Sequence, residues 1–170
     1  MAMPQEVPKI DCSPEEWEMR VDLAAAFRLV DLYGWSDLLA THLSARVPGP
    51  EDHFLINPFG LMFDEITASS LVKVDQEGNI LSPTDYSINP AGFVIHGAIH
   101  MARPDVACVI HTHTRAGTGV ATQKQGLLPI TQHAMAVIAQ TGYHDYQGIA
   151  TDFAERESIV RDLGDNNVLI

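Results

Sequence analysis

The feature that most constrains the fold is an apolar stretch at residues 106–113 that ends in two histidines separated by one residue. Side chains in a β-strand alternate between its faces, so His111 and His113 point to the same side and can contact one cation, while Thr112 points to the other. Neutral imidazoles are common ligands of zinc and related divalent metals, and a strand end is a frequent position for a functional site. The spacing leaves a second interpretation open, in which both rings cap the strand and hydrogen-bond to neighbours.

Strand and helix patterns alternate along the rest of the chain. Ser13 followed by Pro14 predicts a helix start, and the helix is expected to end near Gly34. Its core-facing stripe is predicted to be Trp17, Val21, Ala24, Phe27 and Val30. Strands are predicted at residues 37–47 (half-buried), 53–57, 72–81 (a hairpin), 106–113, 145–149 and 168–170, and further helices at residues 89–102, 114–123, 131–140 and 151–163. The mixture predicts an α/β domain with a mixed or antiparallel sheet.

Length and charge limit the classes of partner. The 170 residues predict one domain, at residues 13–170, preceded by a flexible arm at residues 1–12. A net charge of -12 argues against nucleic acid and anionic membranes, because both bind positive patches. The sequence contains no apolar run of membrane-spanning length, and Cys12 and Cys108 give no disulfide framework. We therefore expect a cytoplasmic protein whose partner is a small molecule or another protein.

Three other histidines deserve comparison with the pair at the strand end. His96 and His100 are four residues apart on a predicted helix, which can also bind metal, but this helix lacks the glutamate that zinc proteases carry after the first histidine. A structural role is favoured for them. His42 stands in a polar cluster before Arg46, and both a structural and a functional role remain open. No nucleophile-elbow, phosphate-loop or dinucleotide-binding motif occurs, so a serine hydrolase or nucleotide-binding function has no support.

The order of several segments resembles the class II aldolase/adducin family. The segments are Thr41-His42-Leu43-Ser44-Ala45-Arg46, Phe54-Leu55-Ile56-Asn57-Pro58-Phe59-Gly60, and Ala102-Arg103-Pro104-Asp105-Val106 leading into His111-Thr112-His113. Three later segments look more like the bacterial adducin-like branch than the sugar-phosphate aldolases: Gly126-Leu127-Leu128-Pro129-Ile130, Tyr143-His144-Asp145-Tyr146 and Val168-Leu169-Ile170.

The resemblance implies a three-layer α/β/α fold around a mixed or antiparallel sheet, in cytoplasmic homotetramers with sites at subunit interfaces. It also implies a divalent metal, zinc with manganese as the alternative, held by His111, His113 and a third histidine. That third histidine would lie beyond Ile170, so the chain is expected to be incomplete at its C-terminus.

The sequence departs from the family pattern at three positions that bear on catalysis and substrate binding. The family's acid/base glutamate falls at Gly92, which has no carboxylate. Phe59 precedes Gly60 in the loop whose hydroxyl helps to bind a substrate phosphate, and His42 stands where the aldolases carry asparagine. A phosphate needs hydrogen-bond donors or cations, which phenylalanine cannot offer. The departures predict a non-phosphorylated substrate.

The leading hypothesis is a metal-dependent lyase that performs aldol cleavage or decarboxylation on a non-phosphorylated carbonyl or carboxylate compound. Its expected metal ligands are His111 and His113, its catalytic candidate is His42, and its substrate-binding candidates are Ser44, Asn57 and Gly60. The alternative, motivated by Gly92, is a non-catalytic module, similar to an adducin head, that works by oligomerisation or protein binding. A third possibility is a structural metal that ties subunits together.

Overall fold

The order of helices and strands follows the alternation in the sequence. A computed structural model describes residues 10–49 and 52–170, so most of the predicted arm lies outside the described residues. The helices are α1 (Pro14–Leu32), α2 (Pro90–Ala102), α3 (Arg115–Ala121), α4 (Gln132–Val137) and α5 (Glu155–Leu163), with 3-10 turns at Phe63–Glu65 and Ile138–Gln140. The strands are β1 (His42–Arg46), β2 (Phe54–Ile56), β3 (Val72–Val74), β4 (Cys108–His111), β5 (Thr141–Gly142) and β6 (Val168–Leu169).

Local capping explains where the two longest helices begin. The Ser13 hydroxyl accepts a hydrogen bond from the Glu16 amide at 3.1 Å, and the Asn89 side chain accepts one from the Ala91 amide at 3.0 Å. A proline follows each cap, in the first helical turn, where the missing N–H costs nothing. Both predicted helix starts are confirmed.

The main sheet is antiparallel throughout, in the order β3-β2-β1-β4, and β5 pairs with β6 in a separate parallel pair. The predicted mixed or antiparallel sheet is therefore confirmed. The predicted hairpin at residues 72–81 is also present, because Val74 bridges to Ile80 across the turn.

Helices cover the main sheet on both faces. Leu43, Ala45 and Leu55 pack against α1 in one apolar cluster, while Phe54 and Ile56 pack with Phe93 of α2 in another. Successive residues of β2 thus enter opposite clusters, as alternation along a strand requires. The sheet with one helix layer on each side is the predicted α/β/α arrangement.

Three details of the sequence prediction are wrong. The strand at residues 37–47 is shorter than predicted and is buried on both faces rather than one, because α1 covers one face and α2 the other. Residues 145–149 form no strand, and the neighbouring β5 pairs with β6 instead. Val21 is 46% exposed, because the buried face of α1 includes Glu16 and Arg20 in its place.

Among the described residues, no helix has both the length and the apolar character needed to cross a membrane.

Candidate functional site

The site lies where β1 and β4 run side by side beneath α2. His42 and His111 are directly paired across the two antiparallel strands, so their side chains leave the sheet on the same face. The ring centroids of His42 and His111 are 4.6 Å apart. Strand pairing therefore joins a residue from the polar cluster of β1 to the histidine pair at the end of β4.

The predicted strand at residues 106–113 is shorter in the structure, where β4 ends at His111 and His113 lies two residues beyond it, but the two rings still meet. Nε2 of His111 lies 3.0 Å from Nε2 of His113. On the other side of the second ring, Nδ1 of His113 lies 2.9 Å from a carboxylate oxygen of Asp37. Because a carboxylate accepts, this contact keeps the proton of His113 on Nδ1 and leaves Nε2 free to bind a cation.

Asp37 is a further candidate site residue, which the sequence analysis did not identify. It comes from the loop before β1, 76 positions from His113 in the chain. Leu38, which follows it, has a φ of +46°, a left-handed conformation that costs a non-glycine residue energy and that often occurs near functional sites. No local pattern in the sequence could have linked this carboxylate to the histidines.

The donor set fits part of a zinc site. A tetrahedral zinc ion with Zn–N distances of about 2.0–2.1 Å separates its ligand nitrogens by roughly 3.3 Å, so the 3.0 Å between the two Nε2 atoms needs a shift of only a few tenths of an ångström. The carboxylate on the opposite ring nitrogen of His113 is the usual partner of a metal-binding histidine. Within residues 10–49 and 52–170, no group of three or more histidine, cysteine, aspartate or glutamate side chains is arranged to hold a metal ion. His111 and His113 thus stay predicted ligands.

Behind His42, three side chains form a buried hydrogen-bonded group. Nδ1 of His42 lies 2.8 Å from Nε2 of His96, and Nδ1 of His96 lies 2.6 Å from the hydroxyl of Ser44. The same hydroxyl lies 2.8 Å from Nε2 of His100. The helical spacing of His96 and His100 places both rings over β1, where both contact the hydroxyl of Ser44. Ser44 is fully buried, and its predicted contact with substrate stays a prediction.

Burial keeps these rings neutral. Burial lowers the pKa of His42 to about 3, with smaller contributions from the neighbouring His111 and His113. Burial also lowers the pKa of His100 and of His111 to about 4, and that of His96 well below its usual value. At pH 7 each ring therefore carries one proton, which favours hydrogen bonding or metal binding over proton abstraction by His42.

Gly92 of α2 packs closely against the ring of His42. A Cβ atom at Gly92 would lie 3.0 Å from Cδ2 of His42 and 3.1 Å from its Cγ. A glutamate at this position would meet the imidazole ring, so His42 and a side chain at residue 92 compete for one volume.

The other predicted substrate contacts are outside this hydrogen-bonded group. Asn57 is buried at the end of β2, and its Oδ1 has no hydrogen-bond partner among the described residues. Gly60 has a φ of +103° in the adjoining turn and faces open space, and Phe59 beside it is 45% exposed. Their predicted role in substrate binding stays a prediction.

Comparison with known proteins shows the family to which the chain belongs. The family model for the Class II Aldolase and Adducin N-terminal domain matches residues 21–170. A "Putative aldolase class 2 protein" of Caulobacter vibrioides is 57% identical over 169 residues, which are 99% of this chain and 66% of that protein. Alpha-adducin of Rattus norvegicus is 48% identical over 148 residues, which are 86% of this chain and 20% of that protein. The chain thus spans less than two thirds of each relative.

Solved structures show the same fold. The aldolase II superfamily protein from Pseudomonas syringae has a TM-score of 0.90 and 61% identity, with 94% of this chain and 64% of that chain covered. L-fuculose 1-phosphate aldolase from Glaciozyma antarctica has a TM-score of 0.80 and 31% identity, with 92% of this chain and 61% of that chain covered. The three-layer prediction is confirmed, and the chain belongs to the class II aldolase and adducin N-terminal domain family.

Proposed function

We propose that this protein is a metal-dependent lyase of class II aldolase type, which breaks a carbon–carbon bond by aldol cleavage or decarboxylation in a non-phosphorylated carbonyl or carboxylate compound. The observation that carries the proposal is the 3.0 Å approach of Nε2 of His111 to Nε2 of His113, with Asp37 on the far side of the second ring. A bound divalent ion, zinc or manganese, would supply Lewis-acid stabilisation of negative charge on a carbonyl oxygen.

The chain's own residues have separate tasks in this proposal. His111 and His113 hold the ion, and Asp37 orients the second ring by accepting a hydrogen bond from its Nδ1. His42, next to His111 on the same face of the sheet, contacts the substrate. Its pKa of about 3 makes the ring a hydrogen-bonding group at pH 7, so any proton abstraction in the reaction falls to another residue.

The metal content of the purified full-length protein tests the proposal. We expect about one zinc or manganese ion per chain, lost in His111→Ala and in His113→Ala, because each substitution removes a ligand. Asp37→Ala should weaken metal affinity by roughly 10- to 100-fold, the usual effect of removing a carboxylate that supports a histidine ligand. His133→Ala is the matched control, since His133 is exposed and outside the group. Unchanged metal content in both ligand variants would overturn the proposal.

The non-catalytic alternative has its own support. The 48% identity to rat alpha-adducin and the missing carboxylate at Gly92 favour a module that works by assembly or protein binding. Turnover measured on panels of hydroxy acids, keto acids, aldehydes and sugar phosphates separates the two. Cleavage of any member by the wild type, lost in His111→Ala, supports the lyase, and cleavage of sugar phosphates alone would contradict the non-phosphorylated substrate.

Assembly and location complete the proposal. We infer a cytoplasmic homotetramer with its sites between subunits. Large apolar side chains that lie shortly before and after Asp37 in the sequence are exposed, and a second copy of the chain would cover them: Leu29, Leu32, Tyr33, Trp35 and Leu38.

A further inference from the structure

The carboxylate beside His113 is not held there by its own attraction to the ring. A carboxylate oxygen of Asp37 lies 2.9 Å from Nδ1 of His113, but the Asp37 side chain is 52% exposed and the His113 side chain 39%. A contact between two exposed side chains contributes little in water, because solvent competes for both partners and ordering them costs entropy. The backbone that carries Asp37 therefore has to keep the carboxylate in place if the ring is to have one orientation.

That backbone is a tight turn with an unusual residue in it. The Ala40 amide donates to the Asp37 carbonyl at 2.8 Å, which closes a four-residue turn with Leu38 in its second position. Leu38 has a φ of +46°, and within residues 10–49 and 52–170 it is the one residue other than glycine with a positive φ. Turns that need a positive φ at this position usually carry glycine, asparagine or aspartate there, because the left-handed conformation is costly for leucine. A turn of this kind persists when the surrounding structure imposes it.

Two polar side chains impose the turn. Thr41 lies directly before β1 and is fully buried, and its hydroxyl accepts a hydrogen bond from the Asp37 amide at 3.2 Å. Asn89, whose Oδ1 caps α2, donates from its Nδ2 to the Leu39 carbonyl at 3.4 Å. The bond to Thr41 is the shorter of the two, and it holds residue 37 itself. The turn is thus connected to the sheet through Thr41 and to α2 through Asn89.

The backbone of His113 is held independently of this turn. β4 ends two residues before it, and the next residue, Thr114, caps α3 with a hydroxyl that accepts from the Gly117 amide at 3.0 Å. The imidazole ring can nevertheless occupy several rotamers on a fixed backbone. Asp37 is the side chain that contacts its Nδ1, so the geometry of the turn decides the orientation of the ring.

We propose that Thr41 and the left-handed conformation of Leu38 position Asp37, and through it the ring of His113, before a metal ion binds. Thr41 and Leu38 are positioning residues, which act through Asp37 and not on the ion itself. The inference rests on the proposed function, because it takes His113 as a ligand. A ring that is already oriented loses less conformational freedom when it binds an ion, so the turn raises the affinity for the metal.

The zinc affinity of the full-length protein, measured at pH 7 by competition with a chromogenic chelator, tests the role of the turn. Leu38 is 68% exposed, so its substitution leaves the apolar core intact. Leu38→Ile keeps the size of the side chain, but its branched Cβ disfavours a positive φ, so zinc affinity should fall about 3- to 10-fold. Leu38→Asn, which tolerates a positive φ, should keep the wild-type affinity. Wild-type affinity in Leu38→Ile would overturn the role of the turn.

Substitutions of Thr41 test the second part of the proposal. Thr41→Val keeps the buried volume and removes the hydroxyl, so zinc affinity should fall about 3- to 10-fold, less than in Asp37→Ala. Thr41→Ser, which keeps the hydroxyl, should retain the wild-type affinity. In the Asp37→Ala background, Thr41→Val should cause no further loss, because its effect passes through that carboxylate. Equal losses in the two backgrounds would show that Thr41 acts elsewhere and would contradict its positioning role.

A matched control and the behaviour of the wild type separate the possible outcomes. The Thr67 hydroxyl also accepts from a backbone amide, that of Ser70 at 3.2 Å, in the segment before β3. Thr67→Val should therefore leave zinc affinity unchanged, and a loss as large as that of Thr41→Val would contradict a specific role for Thr41. A wild type that binds neither zinc nor manganese would refute the proposed function and this inference together. Zinc binding that is unchanged in Leu38→Ile and Thr41→Val would refute the positioning role alone.

Discussion

Gly92 and His42 share one volume beneath the first turn of α2. The ring cannot retreat freely, because Nδ1 of His42 lies 2.8 Å from Nε2 of His96. A methyl group at residue 92 would lie 3.0–3.1 Å from two carbon atoms of the ring. Alanine usually stabilises a helix relative to glycine by about 1 kcal/mol, whereas overpacking a buried site costs about 1–3 kcal/mol, so the packing cost should prevail here.

Gly92→Ala should therefore lower the free energy of unfolding by about 1 kcal/mol, measured by urea denaturation. Gly119→Ala is the matched control, because Gly119 is inside α3 with nothing within 4 Å of its added Cβ, and this variant should be as stable as the wild type or more so. The double variant His42→Ala with Gly92→Ala should lose less free energy of unfolding than the two single variants lose together, because alanine at residue 42 leaves room for the methyl group at residue 92. If the losses of the two single variants simply add up to that of the double variant, the two side chains do not compete for the same space.

The site residues differ in how far sequence could predict them. Period-two alternation predicted that His111 and His113 would meet, and their rings do meet although His113 lies beyond the end of β4. Helical spacing paired His96 with His100. The partners of these rings could not be predicted in the same way. Ser44 joins His96 from 52 positions away, and Asp37 joins His113 from 76. Contacts at such separations depend on strand order, which no local pattern encodes.

At the scale of elements, α1 buries charge as well as apolar surface. Arg20 is fully buried, its Nε donates to Glu16 at 2.9 Å, and its Nη1 donates to the carbonyl oxygen of Leu71 at 2.7 Å. Lys73 of β3 donates to the other oxygen of Glu16 at 2.8 Å. Arg20 therefore connects the helix to the loop before β3, and its removal would leave buried acceptors without a donor.

Arg20→Met should lower the free energy of unfolding by about 3 kcal/mol, in the range found when one partner of a buried ion pair is removed. Arg28→Met on the same helix is the control. The Arg28 side chain is exposed and makes one long hydrogen bond to the Ile66 carbonyl at 3.2 Å, so its loss should cost less than about 1 kcal/mol. Equal losses in the two variants would show that the buried network contributes nothing specific.

Helices and strands were predictable where the residues that determine them lie close together in the sequence. The caps and prolines of α1 and α2 lie within four residues of the helix starts, and both starts were predicted correctly. The exposure of β1 was not predictable, because its second face is covered by α2, which begins more than 40 positions later. The apolar stripe of α1 was predicted only in part, since periodicity gives no sign that Arg20 would be buried in place of Val21.

At the scale of the whole molecule, an acidic chain encloses a neutral group of imidazoles. The pKa of His42 is lowered to about 3 and that of His100 to about 4, both chiefly by burial, and that of His96 is lowered in the same direction. In the unfolded chain these rings take up protons near their ordinary pKa of about 6.5. Below that pH the unfolded state binds more protons than the folded state, so stability falls as pH falls from about 6.5 towards about 4.

Stability should therefore decrease between pH 7 and pH 5.5, a range in which ordinary carboxylates stay ionised and contribute little. His42 and His100 should each account for about 1 kcal/mol of the loss, measured by urea denaturation with chelator in every buffer. His100→Gln should reduce the dependence on pH by about 1 kcal/mol, whatever its effect on stability at pH 7, because one buried titrating ring is removed. His133→Gln, which changes an exposed ring, should leave the dependence unchanged. A wild-type stability that is flat from pH 7 to pH 5.5 would mean that these rings bind protons equally well in the folded and unfolded states, which is incompatible with their burial between α2 and the sheet.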